Sequence, residues 1–439
     1  MKILTSSKKN FDKNLNKILD IRKSKIRNNS KSVLNIIKDV RKNGDKALLK
    51  YERKFNKNSK IIPSKTQISK SILTLNKNVK KAIDLAYERI YKFHSLQKFS
   101  NIRYTDKLKN KIYYKHVPIE SVAIYVPGST VSYPSSVLMN AIPAIVAGVK
   151  RIVMINPGYK GKQNPAVLYA AKKCKIREIY SIGGPSAIAA ITYGTKKIKS
   201  VNKIVGPGNS YVAAAKKEVF GDVGIESMTA GPSEVTIVCD RSSNPAWIAS
   251  DLIGQAEHDI LAQCILISKD KRILEKIKLE VSNQLKKIPR SSIAKRSLIN
   301  NGIFMHIVSD NKIAEVINKI GPEHLELNIK NYKTLVSKIK NAGSICLGKY
   351  AVMAMTDYNV GSNHVLPTNG SAKYSSGISV NEFYKRISYI NLSKKGIESL
   401  GPSVITLANY EGLVGHAESV VKRIRRNNIA KRRNSRIRG

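Results

Sequence analysis

The chain has 439 residues, 42% of them hydrophobic, and 78 Lys and Arg against 30 Asp and Glu give a formal net charge of +48. The apolar content excludes a wholly disordered polycation, and the length allows roughly two to three domains around sizeable cores. Such charge raises nucleic acid or an anionic membrane as a partner, yet it sits at the ends: net +24 over residues 1–118 and +9 over 422–439, leaving +15 for 119–421.

Residues 10–118 are predicted to be mostly helical. SVLNIIKDVRKNGDKALLKYERKF sets apolar residues three and four apart with charges between, Asn43-Gly44 breaks it as a turn, and KNVKKAIDLAYERIYKFHSLQ forms a second helix. From Ser121 short β-branched runs alternate with Ala-rich helical patterns. SVAIYV, RIVMINP and REIYSIGG read as strands, SSVLMNAIPAIVAGV, PAVLYAAKKC and SAIAAITYG as helices, and SVNKIVGPGN leads into SYVAAAKKEVF. The alternation restarts with strands SEVTIVCD, AQCILIS, GIFMHIVS and SICLG around helices PAWIASDLIGQAEH, KRILEKIKLEVSNQLKKI and NKIAEVINKIG.

This pattern predicts an α/β protein with two doubly wound, Rossmann-like parallel-sheet units over about 119–232 and 233–348. A helical region, 1–118, precedes them. A small α+β region, 349–439, follows with a polar loop, strand-like ISVNEF and ISYINL, a helix holding GHAESVVKRIRR, and the basic tail 422–439. Residues 121–149 carry no charged side chain, but Pro127, Pro134 and Pro143 divide them, so a strand, a loop and a buried helix fit better than a membrane span. The N-terminal residues lack the apolar core of a secretory signal, and Asp12 and Asp20 disfavour a transit peptide. Cys174, Cys239, Cys264 and Cys346 form no C-x-x-C pair and are expected as buried free thiols in a reducing compartment.

Of seven histidines, His94 and His116 fall in the basic helical region, and His306 alternates with apolar residues as a structural histidine would. The others lie in unusual surroundings. In Gln255-Ala256-Glu257-His258-Asp259, helical spacing would let Gln255 and His258 share a ligand. In Gly321-Pro322-Glu323-His324, two adjacent proton acceptors follow a helix break, which suits an exposed loop. Asp357 and Asn363-His364 share a polar loop, and Glu411 through His416 carry glycines that allow close approach of a ligand. Gly206-Pro207-Gly208-Asn209 and Gly183-Gly184 join strands to helices, where backbone N–H groups can hold an anion, although neither is a G-x-G-x-x-G fingerprint.

YPSSVLMNAIPAIVAGV, KIVGPGNSYVAAAKKEVFG, AGPSEVTIV, DLIGQAEHD, GPEHLEL, NHVLPT, SGISVNEF and EGLVGHAESV, in that order, resemble the histidinol dehydrogenase family, strongly from Ser121 to Ser419 and weakly before it. The resemblance implies a cytoplasmic homodimer. It would oxidise L-histidinol through L-histidinaldehyde to L-histidine, the last two steps of histidine biosynthesis, with two NAD and one zinc per subunit. It implies Gln255, His258, Asp357 and His416 as zinc ligands, His324 as the base for the alcohol proton and Glu323 as the residue activating water. Ser233, Glu411 and His324 would contact substrate together with the zinc ligands, and Tyr125, Ser186 and Asn209 match cofactor positions. No cysteine takes a catalytic role. Ser129 stands where the family often has Gly, and Ser186 where it has a cofactor-contacting Gln. Two alternatives are a basic nucleic-acid-binding protein on the same scaffold, suggested by the tail, and a related amino-alcohol dehydrogenase; neither a specific nucleic acid nor a membrane is expected as a partner.

Overall fold

A computed structural model describes residues 2–24, 30–128, 132–158, 160, 162–226 and 231–424. Ser129 and the part of the basic tail beyond residue 424 lie outside the described residues. In chain order the strands are β1 (Lys2–Thr5), β2 (Arg103–Thr105), β3 (Lys111–Pro118), β4 (Ser121–Tyr125), β5 (Arg151–Ile155), β6 (Glu178–Tyr180) and β7 (Lys203–Val205). They continue as β8 (Gly224–Ile225), β9 (Glu234–Cys239), β10 (Gln263–Ser268), β11 (Ile303–His306), β12 (His324–Asn328), β13 (Ser344–Leu347) and β14 (Tyr384–Asn391). The chain divides into two compact units, one combining residues up to 98 with 119–383, the other combining 99–118 with the chain from 384 on.

The first unit holds two parallel sheets, ordered β6-β5-β4-β7-β8 and β1-β11-β10-β9-β12-β13. Every residue of β4, β9, β10 and β12 is buried, as strands covered on both faces require; this explains the mostly apolar runs of β4, β9 and β10, whereas β12 alternates buried His324, Glu326 and Asn328 with leucines. The crossover helices start where the sequence supplies a cap. Asn164, Asn209 and Asn244 each accept a backbone N–H at the first turn, and Pro follows directly at two of the three. The doubly wound α/β reading therefore holds, and residues 121–149 form β4, a connecting segment and the buried helix Pro134–Ala147. Among the described residues no helix is long and apolar enough to cross a membrane.

The N-terminal segment serves both sheets. β1 pairs with β11, and helix Phe11–Ser24 places Phe11, Leu15 and Leu19 in one core with Ile265, Ile267, Met305 and Leu325. Helix Ser30–Tyr51 instead lays Val33, Ile37, Val40 and Leu48 against the first sheet's helices through Ile188 and Ile191. Asn43-Gly44 interrupts that segment as expected: the backbone leaves the helical region at Gly44, whose φ of 51° suits glycine, and two helices meet there at a kink.

Four elements differ from expectation. β1 is too short to show a two-residue period against a helical background. β2 and β3 lie in the stretch expected to be helical, because KIYYKHVP alternates on an exposed strand. ISVNEF, expected as a strand, ends in a 3₁₀ turn over Val380–Phe383. In the second unit, β14-β3-β2 is an antiparallel sheet with Tyr113 and Tyr389 opposed and stacked at 4.9 Å, beside helix Lys394–Tyr410 and a helix over 414–424.

Candidate active site

The Glu323-His324 pair, expected on an exposed loop, sits instead at the buried start of a central strand. β12 begins at His324, in register with Val235 beside Glu234 at the start of β9, so both lie at the amino edge of the second sheet. His324 is 4% exposed. Its Nε2 lies 3.8 Å from Asp357 Oδ1 and 4.0 Å from Glu323 Oε1, and its buried Nδ1 has no partner among the described residues. Glu323 Oε2 accepts the Glu234 N–H at 2.8 Å.

Burial pushes His324 down to about 3, with the His364 and His258 rings adding to the effect, so the imidazole is neutral at neutral pH. Burial, with Glu234 and Asp357 adding their charge, pushes the Glu323 carboxyl well above its usual range. Burial raises Asp357 to about 7. Neutral imidazole beside carboxyl groups with raised proton affinity is an acid–base arrangement.

Helix Pro245–Ala256 runs back from the end of β9 and brings its last turn to the same edge. There Gln255 is 1% exposed with Nε2 unpaired, and His258 follows in the turn just past the helix. Asp357 lies in the short helix Met353–Tyr358, whose first residue Met353 donates its N–H to Glu326 Oε1 at 2.7 Å. His364 Nδ1 lies 2.8 Å from the Asp357 carbonyl, and its Nε2 lies 3.4 Å from Ser136 Oγ at the start of helix Pro134–Ala147. Asn363 Nδ2 donates to the Met139 carbonyl of that helix at 2.6 Å and fixes the loop. Ser233, half-buried just ahead of β9, accepts the Gln263 N–H with its carbonyl.

The first sheet gathers a second group at its carboxyl edge. The Tyr125 hydroxyl, at the end of β4, accepts the Gly184 N–H at 3.0 Å, and burial pushes that phenol up to about 12. Ser186 Oγ donates to the Gly183 carbonyl at 3.1 Å. Asn209 caps helix Ser210–Glu218 by accepting the Tyr211 and Val212 N–H groups, both at 3.1 Å. Gly206 (φ 107°) allows the strand end to pass against Tyr125, because a Cβ there would meet the Tyr125 carbonyl oxygen at 2.3 Å. Beneath it the buried pair Lys216 and Glu226 meets at 2.8 Å, with Lys216 Nζ donating to the Gly206 carbonyl and the Gly206 N–H to Glu226 Oε1.

The structure thus brings Glu323, His324 and Asp357 together at one edge, with Gln255, His258 and Ser233 on the segments that line it. Tyr125 and Ser186 share a second edge, with Asn209 at the neighbouring strand end. Glu411 and His416 belong to the other unit: Glu411 ends helix Lys394–Tyr410, and His416 lies in the first turn of the helix over 414–424, both exposed. Among the described residues no three His, Cys, Asp or Glu side chains form a ready-made metal cage. The Gln255, His258, Asp357 and His416 set offers only nitrogen and oxygen donors, which zinc accepts. Gln255 is further placed at the carbonyl-rich end of a twelve-residue helix, where a cation is favoured, and its amide oxygen Oε1 is the atom that could serve as a ligand.

Sequence reasoning missed the supporting residues. Glu234, Glu326, Asp251 and Ser136 fall inside the family-like stretches AGPSEVTIV, GPEHLEL, DLIGQAEHD and YPSSVLMNAIPAIVAGV, but nothing in those stretches singles them out. The spacing Asp251–Gln255 and His324–Glu326 does place each pair on one face of a helix or strand. Burial raises both Asp251 and Glu326, and the Asp251 charge raises Glu326 further. All four cysteines are buried free thiols whose proton burial retains, and His306 hydrogen-bonds the Lys269 carbonyl as a structural residue.

The histidinol dehydrogenase family model matches residues 20–424. A histidinol dehydrogenase of Pelagibacter ubique is 79% identical over 426 residues, 97% of this chain and all of that protein. Histidinol dehydrogenase 1 of Trichormus variabilis is 49% identical over 346 residues, 79% of this chain and 80% of its own. The crystal structure of histidinol dehydrogenase from Elizabethkingia anophelis superposes with a TM-score of 0.90 at 36% identity, covering 98% of this chain and 99% of that one. The chain belongs to the histidinol dehydrogenase family.

Proposed function

We propose that this protein oxidises L-histidinol by way of L-histidinaldehyde to L-histidine, as a cytoplasmic homodimer using two NAD⁺ in sequence and one zinc per subunit. The observation that carries the reading is the buried cluster of His324, Glu323 and Asp357 at the amino edge of the second sheet, with the unpaired Gln255 amide on the adjoining helix. Gln255, His258, Asp357 and His416 would hold the zinc, and Tyr125, Ser186 and Asn209 mark the NAD⁺ edge. Residues 119–232 then act as the cofactor domain, 233–348 as the domain carrying the acid–base residues, and 349–439 completes the site.

When bound, zinc anchors the imidazole and amine of the substrate, and NAD⁺ accepts hydride. His324, held neutral, takes the hydroxyl proton as hydride leaves carbon. Glu323 then takes a proton from the water that attacks the aldehyde; its raised proton affinity makes it a stronger base than an exposed carboxylate. Ser233 and Glu411 orient the amino alcohol, and the Ser136–His364–Asp357 chain keeps the edge in register.

The test is NADH formation from a panel of amino alcohols, with and without zinc. L-Histidinol should give two NADH per molecule, chelation should abolish turnover, and zinc should restore it. A clear preference for another amino alcohol, or no NADH from any, overturns the assignment.

A further inference from the structure

Glu52 is a carboxylate with no exposed surface at the end of the N-terminal helix pair, well away in sequence from the candidate site residues. It opens the wide turn Glu52–Asn56 that ends helix Ser30–Tyr51. Its Oε1 accepts the Gly183 N–H at 2.9 Å and the Ser186 hydroxyl at 3.5 Å, and its Oε2 accepts Asn56 Nδ2 at 2.7 Å. The next residues continue the attachment. Asn58 Nδ2 donates to the Ser181 carbonyl at 2.6 Å, and the Ser181 N–H donates to the Ile61 carbonyl at 2.7 Å. The stretch from Glu52 to Ile61 is therefore stitched along the loop that follows β6. That loop has no slack on its other side, where a Cβ on Gly183 would meet Pro157 Cβ at 2.6 Å.

The loop also carries the departure noted in the sequence. Position 186 matches a cofactor-contacting amide in the family and is serine here. The Ser186 hydroxyl is committed within the loop, to the Gly183 carbonyl and Glu52. The serine lacks the cofactor-contacting amide, and the Glu52 carboxylate, bonded only within the protein, ties down the backbone of the same loop from another element. A carboxylate also suits this place electrostatically, because Gly183 is the N-cap of helix Gly184–Tyr193 and the positive end of that helix favours an anion.

We propose that Glu52 is a positioning residue for NAD⁺, holding the Gly183–Ser186 loop in its binding geometry. The inference rests on the NAD⁺ reading above. It predicts that the N-terminal helices, remote from the acid–base cluster, set cofactor affinity and leave substrate affinity alone.

The experiment is NADH titration by fluorescence, with KM for NAD⁺ and L-histidinol and bound zinc measured on the same zinc-loaded full-length preparations of Glu52→Ala, Glu52→Gln, Glu52→Asp and Ser186→Ala. Glu52→Ala should weaken NADH binding and raise the KM for NAD⁺ about tenfold, while KM for histidinol and zinc content stay within about twofold. Glu52→Gln should recover most of the affinity, because its carbonyl still accepts from Gly183. Ser186→Ala combined with Glu52→Ala should be no worse than Glu52→Ala, since the two act as one unit. If Glu52→Ala does not fold, the other two Glu52 variants decide: Asp, one methylene short of Gly183, should bind NADH less tightly than Gln. Wild-type affinity throughout the series, an equal rise in both KM values, or Gln as defective as Ala overturns the inference. Wild-type protein that binds NADH but leaves histidinol untouched overturns the functional reading alone; wild-type activity with a flat Glu52 series overturns this inference alone.

Discussion

The two parallel sheets of the first unit use opposite edges. The first gathers Tyr125, Gly183–Ser186 and Gly206–Asn209 at its carboxyl edge, where helices begin and backbone N–H groups favour anions. The second places Glu323, His324 and Gln255 at its amino edge, where helix Pro245–Ala256 ends and its carbonyls favour a cation. Their internal bonding differs as well. At the carboxyl edge Tyr125, Ser186, Asn209, Lys216 and Gly206 all have partners. At the amino edge Gln255 Nε2 and His324 Nδ1 are buried without one. The carboxyl edge is not wholly satisfied, since Glu226 Oε2 is also buried without a partner among the described residues, but there the unpaired atom belongs to an ion pair beneath the strand end, whereas at the amino edge it falls on the imidazole and the amide themselves.

This contrast can be broken at either side. The largest effect is expected from His324→Ala, which should lower turnover about 10³-fold while NADH affinity stays that of the wild type; a matching loss of NADH binding would merge the two edges. Next is Lys216→Met, which leaves Glu226 buried and uncompensated. It should cost about 3–5 kcal/mol in urea unfolding, and a cost below about 1 kcal/mol would show that the carboxyl edge does not depend on that pair.

Glu52 supplies a pH test. Burial raises its carboxyl from 4.5 to about 7, against the Gly183 N–H, Asn56 and Ser186, with the nearby Tyr125 as the other titratable group. Above pH 4.5 the unfolded chain releases a proton that the folded chain retains, so this group costs stability as pH rises from 4.5 to about 7. Relative to wild type, Glu52→Gln should therefore gain about 3 kcal/mol across that window, read as the difference between their urea midpoints at the two ends. A constant difference refutes the buried carboxyl. The smallest effect is Asn209→Ala, which removes a helix cap at about 1 kcal/mol. If Asn209 also contacts NAD⁺, the KM for NAD⁺ rises in the same variant with KM for histidinol fixed.

Much of this was legible in the sequence because parallel strands buried on both faces show as apolar runs, and asparagine and proline mark helix starts. Glu323-His324 could be identified as chemical by motif but not located. A Gly-Pro break reads as a loop, and only strand pairing shows that His324 enters the core. β1 and β3 were hidden by the same lysine-rich background that suggested helices. Glu52 was illegible for a different reason: its partners, Gly183 and Ser186, are more than 130 residues away, and a buried glutamate in a charged helix resembles its exposed neighbours. The overall charge was no guide to function, since the α/β middle carries little of the excess.

The pairing of β1 with β11 has a consequence for synthesis. Lys2 must find Ile303, so the sheet that carries His324 cannot close its edge until some 300 residues of later chain have emerged. At 5–20 residues per second the strand waits roughly 15–60 s beside the ribosome, while the first sheet, built from residues 121–225, has everything it needs to form. The carboxyl edge of the first sheet is then expected to mature well before the amino edge of the second, and the nascent Lys2–Thr5 segment spends that interval as an unpaired strand in need of protection.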